Sequence, residues 1–306
     1  MADAKILRIY LDAAELARAE AGEFNIVNRI ATAFRSQGIR VELRRNSAAE
    51  RMKSAARRGF SLFMMDDPFH PRALTLRRAY FYPFWRIEAS AKRWEWEIAK
   101  ACFDPGAIDR QAAKTWCDAW RKRLFETAAD RPDRRGLVYV PLQGVLLERR
   151  SFQSISPMGM IEAVLTHDPD RKVVVGFHPN EIYAPEETEA VAALAARHPR
   201  LRISTEPMPQ LLANCDYVVT QNSSVALSGY FFHKPAVLFA RIDFHHIAAD
   251  AGRMGTEAAF WAVTRNSPDF DSYLYWFLKL TAINGGSDLA ERQMLAAARR
   301  RGWPVG

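Results

Sequence analysis

Polar residues that could bind an anionic ligand follow apolar, strand-like runs in the second half of this 306-residue sequence. His178 and Pro179 come directly after one run, and Asn222, Ser223 and Ser224 come after another. Serines at the start of a helix can bind a phosphate, because free backbone N–H groups and the positive end of the helix dipole lie there. An imidazole at a strand end can donate a hydrogen bond to a phosphate oxygen or a leaving group. These two segments predict a phosphate-binding site.

Both segments also have a structural interpretation. A serine is a common N-cap, which closes the first turn of a helix without any ligand, and a lone histidine is usually structural. The proline after His178 ends the strand and fixes where the imidazole points, which favours a defined role. Gln143 follows a third apolar run, and Arg241 and Asp243 follow a fourth. Because ligands of open α/β sheets bind outside the carboxyl ends of the strands, this convergence favours the ligand site.

Three acidic residues are candidates for the catalytic group. Glu148, which is flanked by arginines, could be a nucleophile or base, or else a surface salt-bridge partner. Asp66 and Asp67 end an apolar run in the first half and are the rival base. Their structural interpretation is a strand-to-turn segment before Pro68. At this point the choice among the three stays open.

The elements that must position these residues follow from hydrophobic periodicity. In the first half we predict the strands Lys5–Leu11, Ile39–Leu43 and Phe60–Met65 and the helix Phe24–Gln37. From His70 to about Ala128 the pattern predicts a helical, aromatic layer. The polar segment Ala129–Gly136 predicts a linker.

After the linker, apolar runs alternate with helical segments at a spacing typical of a doubly wound sheet. The predicted strands are Leu137–Leu142, Lys172–Phe177, Leu201–Ser204, Tyr217–Thr220 and Ala236–Phe239. The predicted helices are Ser156–His167, Glu186–Arg197, Met208–Ala213, Ser224–Phe232, Asp269–Leu280 and Asp288–Arg300. The sequence therefore predicts an α/β domain over residues 1–130, a Rossmann-like domain over 137–268, and helices over 269–306 that pack back on the first domain.

Composition narrows the class of protein. The net charge of +8 and the pI of about 9.5 suit an anionic substrate, a membrane surface or a nucleic acid, unless the basic segments 34–58 and 72–100 are solvated helix faces. No RNA-binding, zinc, GxGxxG or P-loop motif occurs. Adjacent His245 and His246 are not expected to bind metal, because neighbouring side chains of an extended segment point apart. Three dispersed cysteines and the lack of a secretory signal or membrane span favour the cytoplasm.

Three segments together resemble a known family. Residues 176–179 (GFHP) with Ser223 and Ser224 resemble the HP and SS motifs of bacterial sialyltransferases and capsule-type Kdo transferases. Residues 222–237 (NSSVALSGYFFHKPAV) look like the NSS…G…GKPV segment of the capsular polysaccharide biosynthesis family. Residues 140–143 (VPLQ) resemble the strand end that opens its C-terminal domain. The resemblance covers about Leu137–Phe239, and the first half carries no motif that matches.

The resemblance implies a GT-B glycosyltransferase, with two Rossmann-like domains of parallel sheets, a cleft between them and the donor bound by the C-terminal one. Residues 1–130 would then be the acceptor side. It further implies transfer of Kdo or another acidic sugar from a CMP donor to a surface polysaccharide or glycolipid, without a tightly bound metal or cofactor. The implied donor-binding residues are Gln143, His178, Pro179, Asn222, Ser223 and Ser224.

One departure from the family keeps an alternative open. Capsule-type Kdo transferases carry an acidic cluster shortly after the glutamine, and here that segment holds a single acid, Glu148. The alternative is a GT-B-like protein that binds a nucleotide or glycan without catalysis, since fold does not imply function. The basic, aromatic segment 72–100 suits either an anionic acceptor or a peripheral position on the inner membrane.

Overall fold

The computed structural model of the protein describes residues 5–129 and 132–305. Its strands are β1 Ile6–Leu11, β2 Arg40–Arg45, β3 Phe60–Met64, β4 Ala73–Arg78, β5 Phe84–Glu88, β6 Leu137–Pro141, β7 Lys172–Gly176, β8 Leu201–Ile203, β9 Tyr217–Thr220, β10 Ala236–Leu238, β11 Ala249–Asp250 and β12 Ile283–Asn284. Its helices are α1 Ala13–Glu20, α2 Asn25–Arg35, α3 Ala48–Ala56, α4 Glu97–Lys100, α5 Arg110–Phe125, α6 Pro157–His167, α7 Pro185–Arg197, α8 Met208–Asn214, α9 Ser224–Phe231, α10 Ala251–Met254, α11 Thr256–Arg265, α12 Phe270–Leu274 and α13 Ala290–Arg300. Asp130 and Arg131 of the predicted linker, and residues 1–4 and 306 of the predicted domains, lie outside the described residues.

The chain forms two compact units. The first consists of the residues up to Lys100 together with those from Leu278 onward, and the second is Ala101–Phe277. Each unit is a Rossmann-like α/β domain built on its own sheet, so the predicted fold class is confirmed. The change of unit falls at Lys100, whereas the sequence placed it at the polar segment Ala129–Gly136. Helix α5 consequently belongs to the second unit, where the Cys117 thiol contacts the Asp271 carbonyl oxygen at 3.4 Å.

Within the described residues, the first unit holds a six-stranded sheet in the order β12-β5-β4-β3-β1-β2. The pairs among β1 to β4 are parallel, while β5 runs antiparallel to β4 and β12. The C-terminal helix α13 covers one face beside α2, where Arg29 forms a 2.7 Å ion pair with Glu291. Trp303 completes this core against Phe34 and Phe60. Residues distant in sequence therefore build one hydrophobic core.

The prediction of helices from His70 to Ala128 is wrong for its first third, which forms strands β4 and β5. All five residues of β5 are buried, including Arg86 and Glu88. Arg86 donates to the Thr281 carbonyl oxygen at 3.0 Å, and Glu88 pairs with Arg301 at 2.6 Å. A strand buried on both faces shows no polar–apolar alternation, so periodicity cannot separate it from a helix. At least one basic side chain of segment 72–100, that of Arg86, is thus buried inside the fold and is not available to bind a ligand.

The second unit holds, among the described residues, a six-stranded parallel sheet in the order β11-β10-β9-β6-β7-β8. The predicted strands from Leu137 to Phe239 appear within one or two residues of their expected ends. Helix α6 begins after Ser156, whose hydroxyl accepts from the Gly159 N–H, as an N-cap does. The core consists mainly of fully buried aliphatic side chains such as Val140, Val175 and Val219. The middle strand, β6, lies between β7 and β9.

Candidate functional site

The carboxyl edge of the second sheet gathers the polar residues singled out in the sequence. Strand β6 is paired in parallel with β7 on one side and with β9 on the other. Gln143, His178 and Asn222 therefore follow three neighbouring strands that end on the same edge. Because β6 is flanked by two strands that follow it in the chain, the topological switch point lies between β6 and β9. Open α/β sheets form their ligand crevice at such a point.

His178 is held in one tautomer by its own loop. Its backbone N–H donates to the Tyr183 hydroxyl at 3.0 Å, and that hydroxyl donates to the Leu142 carbonyl oxygen at 3.2 Å. The Nδ1 atom accepts from the Asn180 backbone N–H at 3.2 Å. With Nδ1 accepting, the neutral ring carries its proton on Nε2. The half-buried imidazole therefore offers one N–H donor at the end of β7, next to the exposed Pro179.

The serine pair divides into two roles. Ser223 is 2% exposed, and its hydroxyl accepts from the Val225 N–H at 3.3 Å, so it is the N-cap of α9. The structural interpretation thus holds for the Ser223 hydroxyl. Ser224 is exposed at the first position of α9, beside the half-buried Asn222. The hydroxyl that this segment presents to solvent at the helix N-terminus is that of Ser224.

The loop from Gln143 to Ile155, which we call the β6–α6 loop, is fixed by one half-buried and one buried carboxylate whose roles the sequence did not predict. The Gly144 N–H donates to the Glu181 carboxylate, and the Leu146 N–H donates to the buried Glu187 carboxylate. Gly144 has a φ of +64°, a conformation that glycine adopts without strain. The proximity of Glu181 to His178 in sequence is the one signal that could have indicated this arrangement.

A buried glutamine connects the same loop to the end of β9. Gln221 is 3% exposed, and its Nε2 donates to the Ile155 carbonyl oxygen at 3.1 Å. The Ser154 N–H donates to the Phe239 carbonyl oxygen at 2.7 Å, just after β10. The β6–α6 loop therefore crosses the carboxyl edge and is attached at several strands.

Glu148 lies in this loop but points to solvent. It is exposed, and among the residues that the structure describes it makes no ion pair with either flanking arginine. Of the two interpretations of Glu148, the surface salt bridge is not formed with either adjacent arginine. An exposed carboxylate that no ion pair holds has no fixed geometry, which catalysis requires.

Asp66 and Asp67 lie in the first unit, at the carboxyl end of β3. Burial alone would raise the pKa of the Asp66 carboxyl, but hydrogen bonds from Asn46 Nδ2 (3.0 Å) and the Asp67 N–H (2.8 Å), with the Arg51 charge, hold it below its usual range. A lowered pKa makes Asp66 a weak base. The Asp67 carboxylate accepts from the Ala91 N–H at 3.2 Å and is exposed.

A cavity of about 430 Å³ opens beside Asp66. It lies at the start of α3, and its lining residues are Asn46, Ser47, Ala48, Arg51, Met52, Asp66 and Phe69. The Arg51 guanidinium lies over the Phe69 ring at 5.3 Å. The guanidinium, the Asp66 carboxylate and the Asn46 amide are groups that can form hydrogen bonds with the hydroxyl groups of a sugar ring.

The two adjacent histidines do not point apart as expected. His245 and His246 lie in a turn, and their rings stack with centroids 4.5 Å apart. His245 Nδ1 lies 2.8 Å from the Ile242 carbonyl oxygen, and His246 Nδ1 lies 3.0 Å from the Tyr273 hydroxyl. The extended geometry assumed from the sequence applies to strands and not to this turn. Among the described residues, no three His, Cys, Asp or Glu side chains are grouped as a metal site.

No model of a known protein family matches this sequence. No curated protein matches it either. Across residues 5–129 and 132–305, no helix is both long and apolar enough to span a lipid bilayer.

The two Rossmann-like domains define the class of the protein, which has the GT-B fold. The chain is similar to KpsC of Thermosulfurimonas dismutans, a beta Kdo 2,7 transferase, with 13% identity, 88% of each chain covered and a TM-score of 0.54. Also similar are a KpsC beta Kdo 2,4 transferase of the same organism (10% identity, 87% of this chain and 89% of that chain, TM-score 0.48) and MnaA of S. aureus with UDP (13% identity, 94% and 93%, TM-score 0.36). At this identity, the similarity to the first KpsC structure shows the fold.

Proposed function

We propose that the protein is a glycosyltransferase whose second unit binds a nucleotide-activated sugar. The observation that carries the proposal is the group of donors at the switch point of the second sheet. The Nε2–H of His178 follows β7, and the N-terminus of α9, with Ser224 and Asn222, follows β9, on the two sides of β6. Hydrogen-bond donors that point at one position favour binding of a phosphate there. They also stabilise the negative charge that develops on the phosphate as it leaves the sugar.

The donor we propose is a CMP-activated acidic sugar such as Kdo. Support comes from the resemblance of residues 176–179 and 222–237 to the family that uses such donors, and from the similarity in fold to a beta Kdo transferase. Gln143, Pro179 and Ser223 complete the proposed donor site, Ser223 by capping α9. His178 and the α9 dipole would stabilise the departing phosphate without a metal ion.

The acceptor we propose is a surface polysaccharide or glycolipid that the first unit binds. The cavity beside Asp66 supports this, because its Asn46 amide and Arg51 guanidinium can form hydrogen bonds with the hydroxyl groups of a sugar ring. A glycolipid acceptor would be reached at the inner membrane face from the cytoplasm. Nucleic acid is not a proposed ligand.

The experiment that tests the donor site is thermal unfolding with CMP, UDP or GDP. A ligand at about 100 times its dissociation constant stabilises a protein by about 2.7 kcal/mol. We expect CMP to stabilise the wild type, and His178→Ala to lose most of that effect because the Nε2–H is removed. His198→Ala, at an exposed histidine far along the chain, is the matched control. If no nucleotide stabilises the wild type, the donor-site proposal is wrong.

A second candidate is a protein that binds a nucleotide or glycan without transferring it. The observation that favours it is that none of the three candidate bases is buried and free of an ion pair, since Glu148 and Asp67 are exposed and Asp66 is held by Arg51. Stabilisation by CMP together with no transfer to any glycan acceptor would support this candidate over the enzyme.

A further inference from the structure

Arg150 occupies an unusual position in the β6–α6 loop. Its guanidinium lies over the Phe152 ring at 4.9 Å and against the backbone of Gly144. A Cβ atom at Gly144 would lie 2.7 Å from Nη2 and 2.9 Å from Nη1, so only glycine leaves room for this guanidinium. The Phe152 ring and the Gly144 backbone both contact the planar group and restrict its position.

The charge of Arg150 is not matched within the part of the chain that the structure describes. Its Nε is buried without a hydrogen-bond partner, and its guanidinium forms no ion pair with a described carboxylate. Other half-buried or buried arginines have acceptors. Arg29, Arg51, Arg171 and Arg301 pair with carboxylates, and Arg72 and Arg200 donate to backbone carbonyl oxygens. Burying a cationic donor without an acceptor is costly, so the position of Arg150 suits a group that accepts hydrogen bonds from it.

The surroundings place this guanidinium at the carboxyl edge of the second sheet. Gly144 donates its N–H to Glu181, and the Glu181 N–H donates to the His178 carbonyl oxygen at 3.2 Å. At the other end of the loop, Ile155 accepts from Gln221, which directly precedes Asn222. Arg150 thus lies in a loop that is attached to the segments that carry His178 and Asn222.

We infer that Arg150 binds an oxyanion of the donor, which is the phosphate or the sugar carboxylate. This inference rests on the proposed function and assigns a specificity residue to the same site. A guanidinium presents parallel N–H groups that match two oxygens of a phosphate or carboxylate. Arg150 would select donors by the negative charge that they carry next to the nucleoside.

The test is calorimetric titration of cytidine, CMP and CMP-Kdo into the wild type, Arg150→Gln and Arg149→Gln. Arg149 is exposed and adjacent, so its variant removes the same charge from the same loop. We expect Arg150→Gln to weaken the binding of CMP about 10- to 100-fold, which is the usual effect of losing a charged hydrogen bond. The binding of cytidine should not change, and Arg149→Gln should bind all three ligands as the wild type does. If Arg150 binds the sugar carboxylate instead, Arg150→Gln should weaken the binding of CMP-Kdo alone.

A second pair of variants keeps the charge of Arg150, and only one of the two moves it. Gly144→Ala forces the guanidinium away, whereas Gly136→Ala has nearly the same φ (+65° against +64°) and no atom within 4 Å of the new Cβ. Both should lose stability through backbone strain, and only Gly144→Ala should weaken CMP or CMP-Kdo. Unchanged binding of all three ligands by folded Arg150→Gln and Gly144→Ala would overturn the inference alone. A wild type that binds none of them would overturn it together with the proposed donor site.

Discussion

Individual residues at the two sheet edges have roles that follow from their partners. His178 and Ser223 are similar in sequence context, since each follows a short apolar strand. The Ser223 hydroxyl is used by the Val225 N–H, whereas the Nδ1 bond of His178 leaves Nε2 as a donor. Among the acids, Asp66 is held by Arg51 and Asn46, and Glu148 is exposed. The type of a residue at a strand end therefore indicates which roles it could have. The hydrogen bonds that the residue makes in the structure decide which of these roles it has.

The catalytic acid is the prediction that belongs at this scale. We expect Asp67→Asn to lower transfer from CMP-Kdo by at least about 100-fold, because the Ala91 N–H holds the Asp67 carboxylate and general acid–base catalysis contributes about 10²–10⁴. Asp66→Asn should lower it less, since the paired, low-pKa carboxyl is a poor base. Glu148→Gln should retain activity. The measurement is the initial rate with each purified variant.

Thermal unfolding of the three variants is the control for folding. Full activity of Asp67→Asn would remove Asp67 as the base, and loss of activity in Glu148→Gln alone would return the role to the second unit.

Elements of the second unit were predictable because each strand is a short apolar run that turn residues interrupt. Strands β4 and β5 were not, because the charges inside β5 find their partners near the other end of the chain. Glu88 and Arg301 are 5% and 7% exposed and lie 2.6 Å apart. Burial raises the pKa of the Glu88 carboxyl above its ordinary value, although Arg301 acts in the opposite direction. Local periodicity cannot reveal such a pair.

Removal of Arg301 should therefore strongly destabilise the protein. Arg301→Met leaves the Glu88 carboxylate buried and unpaired, which costs about 3–5 kcal/mol at neutral pH. The pKa of Glu88 is raised in the folded state, so Glu88 stabilises the fold at low pH, and this contribution is lost as the pH rises. The destabilisation by Arg301→Met should therefore become smaller towards about pH 4, where Glu88 binds a proton. Urea unfolding at pH 7 and pH 4 measures both values.

Arg300→Met is the matched control, because Arg300 is 58% exposed and its ion-pair partner within residues 5–129 and 132–305 is the exposed Glu97. An equal loss of stability in the two variants, or a cost for Arg301→Met that does not depend on pH, would contradict the buried-pair explanation.

At the scale of the whole molecule, the chain returns to its first unit after completing the second. Strand β12 pairs with β5, and α13 lies beside α2. All residues of the proposed donor site, by contrast, lie between Ala101 and Phe277. Binding of the donor and completion of the first core are thus assigned to different parts of the chain.

This arrangement predicts that a fragment spanning Ala101–Phe277 folds and binds CMP within a few fold of the full chain. Its sheet and its hydrophobic core are complete within that range. Calorimetric titration with CMP measures the affinity, and circular dichroism reports the fold. A fragment that folds but does not bind CMP, while the full chain does, would contradict the assignment of the donor site to the second unit alone.

The sequence alone determined the α/β class, the strands from Leu137 to Phe239 and the edge on which Gln143, His178 and Asn222–Ser224 meet. These features follow from local patterns, because a buried parallel strand is an apolar run and parallel strands share one carboxyl edge. Only the tertiary structure decided that β4 and β5 are strands and that α5 joins the second unit. It also decided that Asp66 has an ion-pair partner, whereas Arg150 has none among the described residues. Those outcomes depend on residues far apart in the chain, whose pairing leaves no local signal.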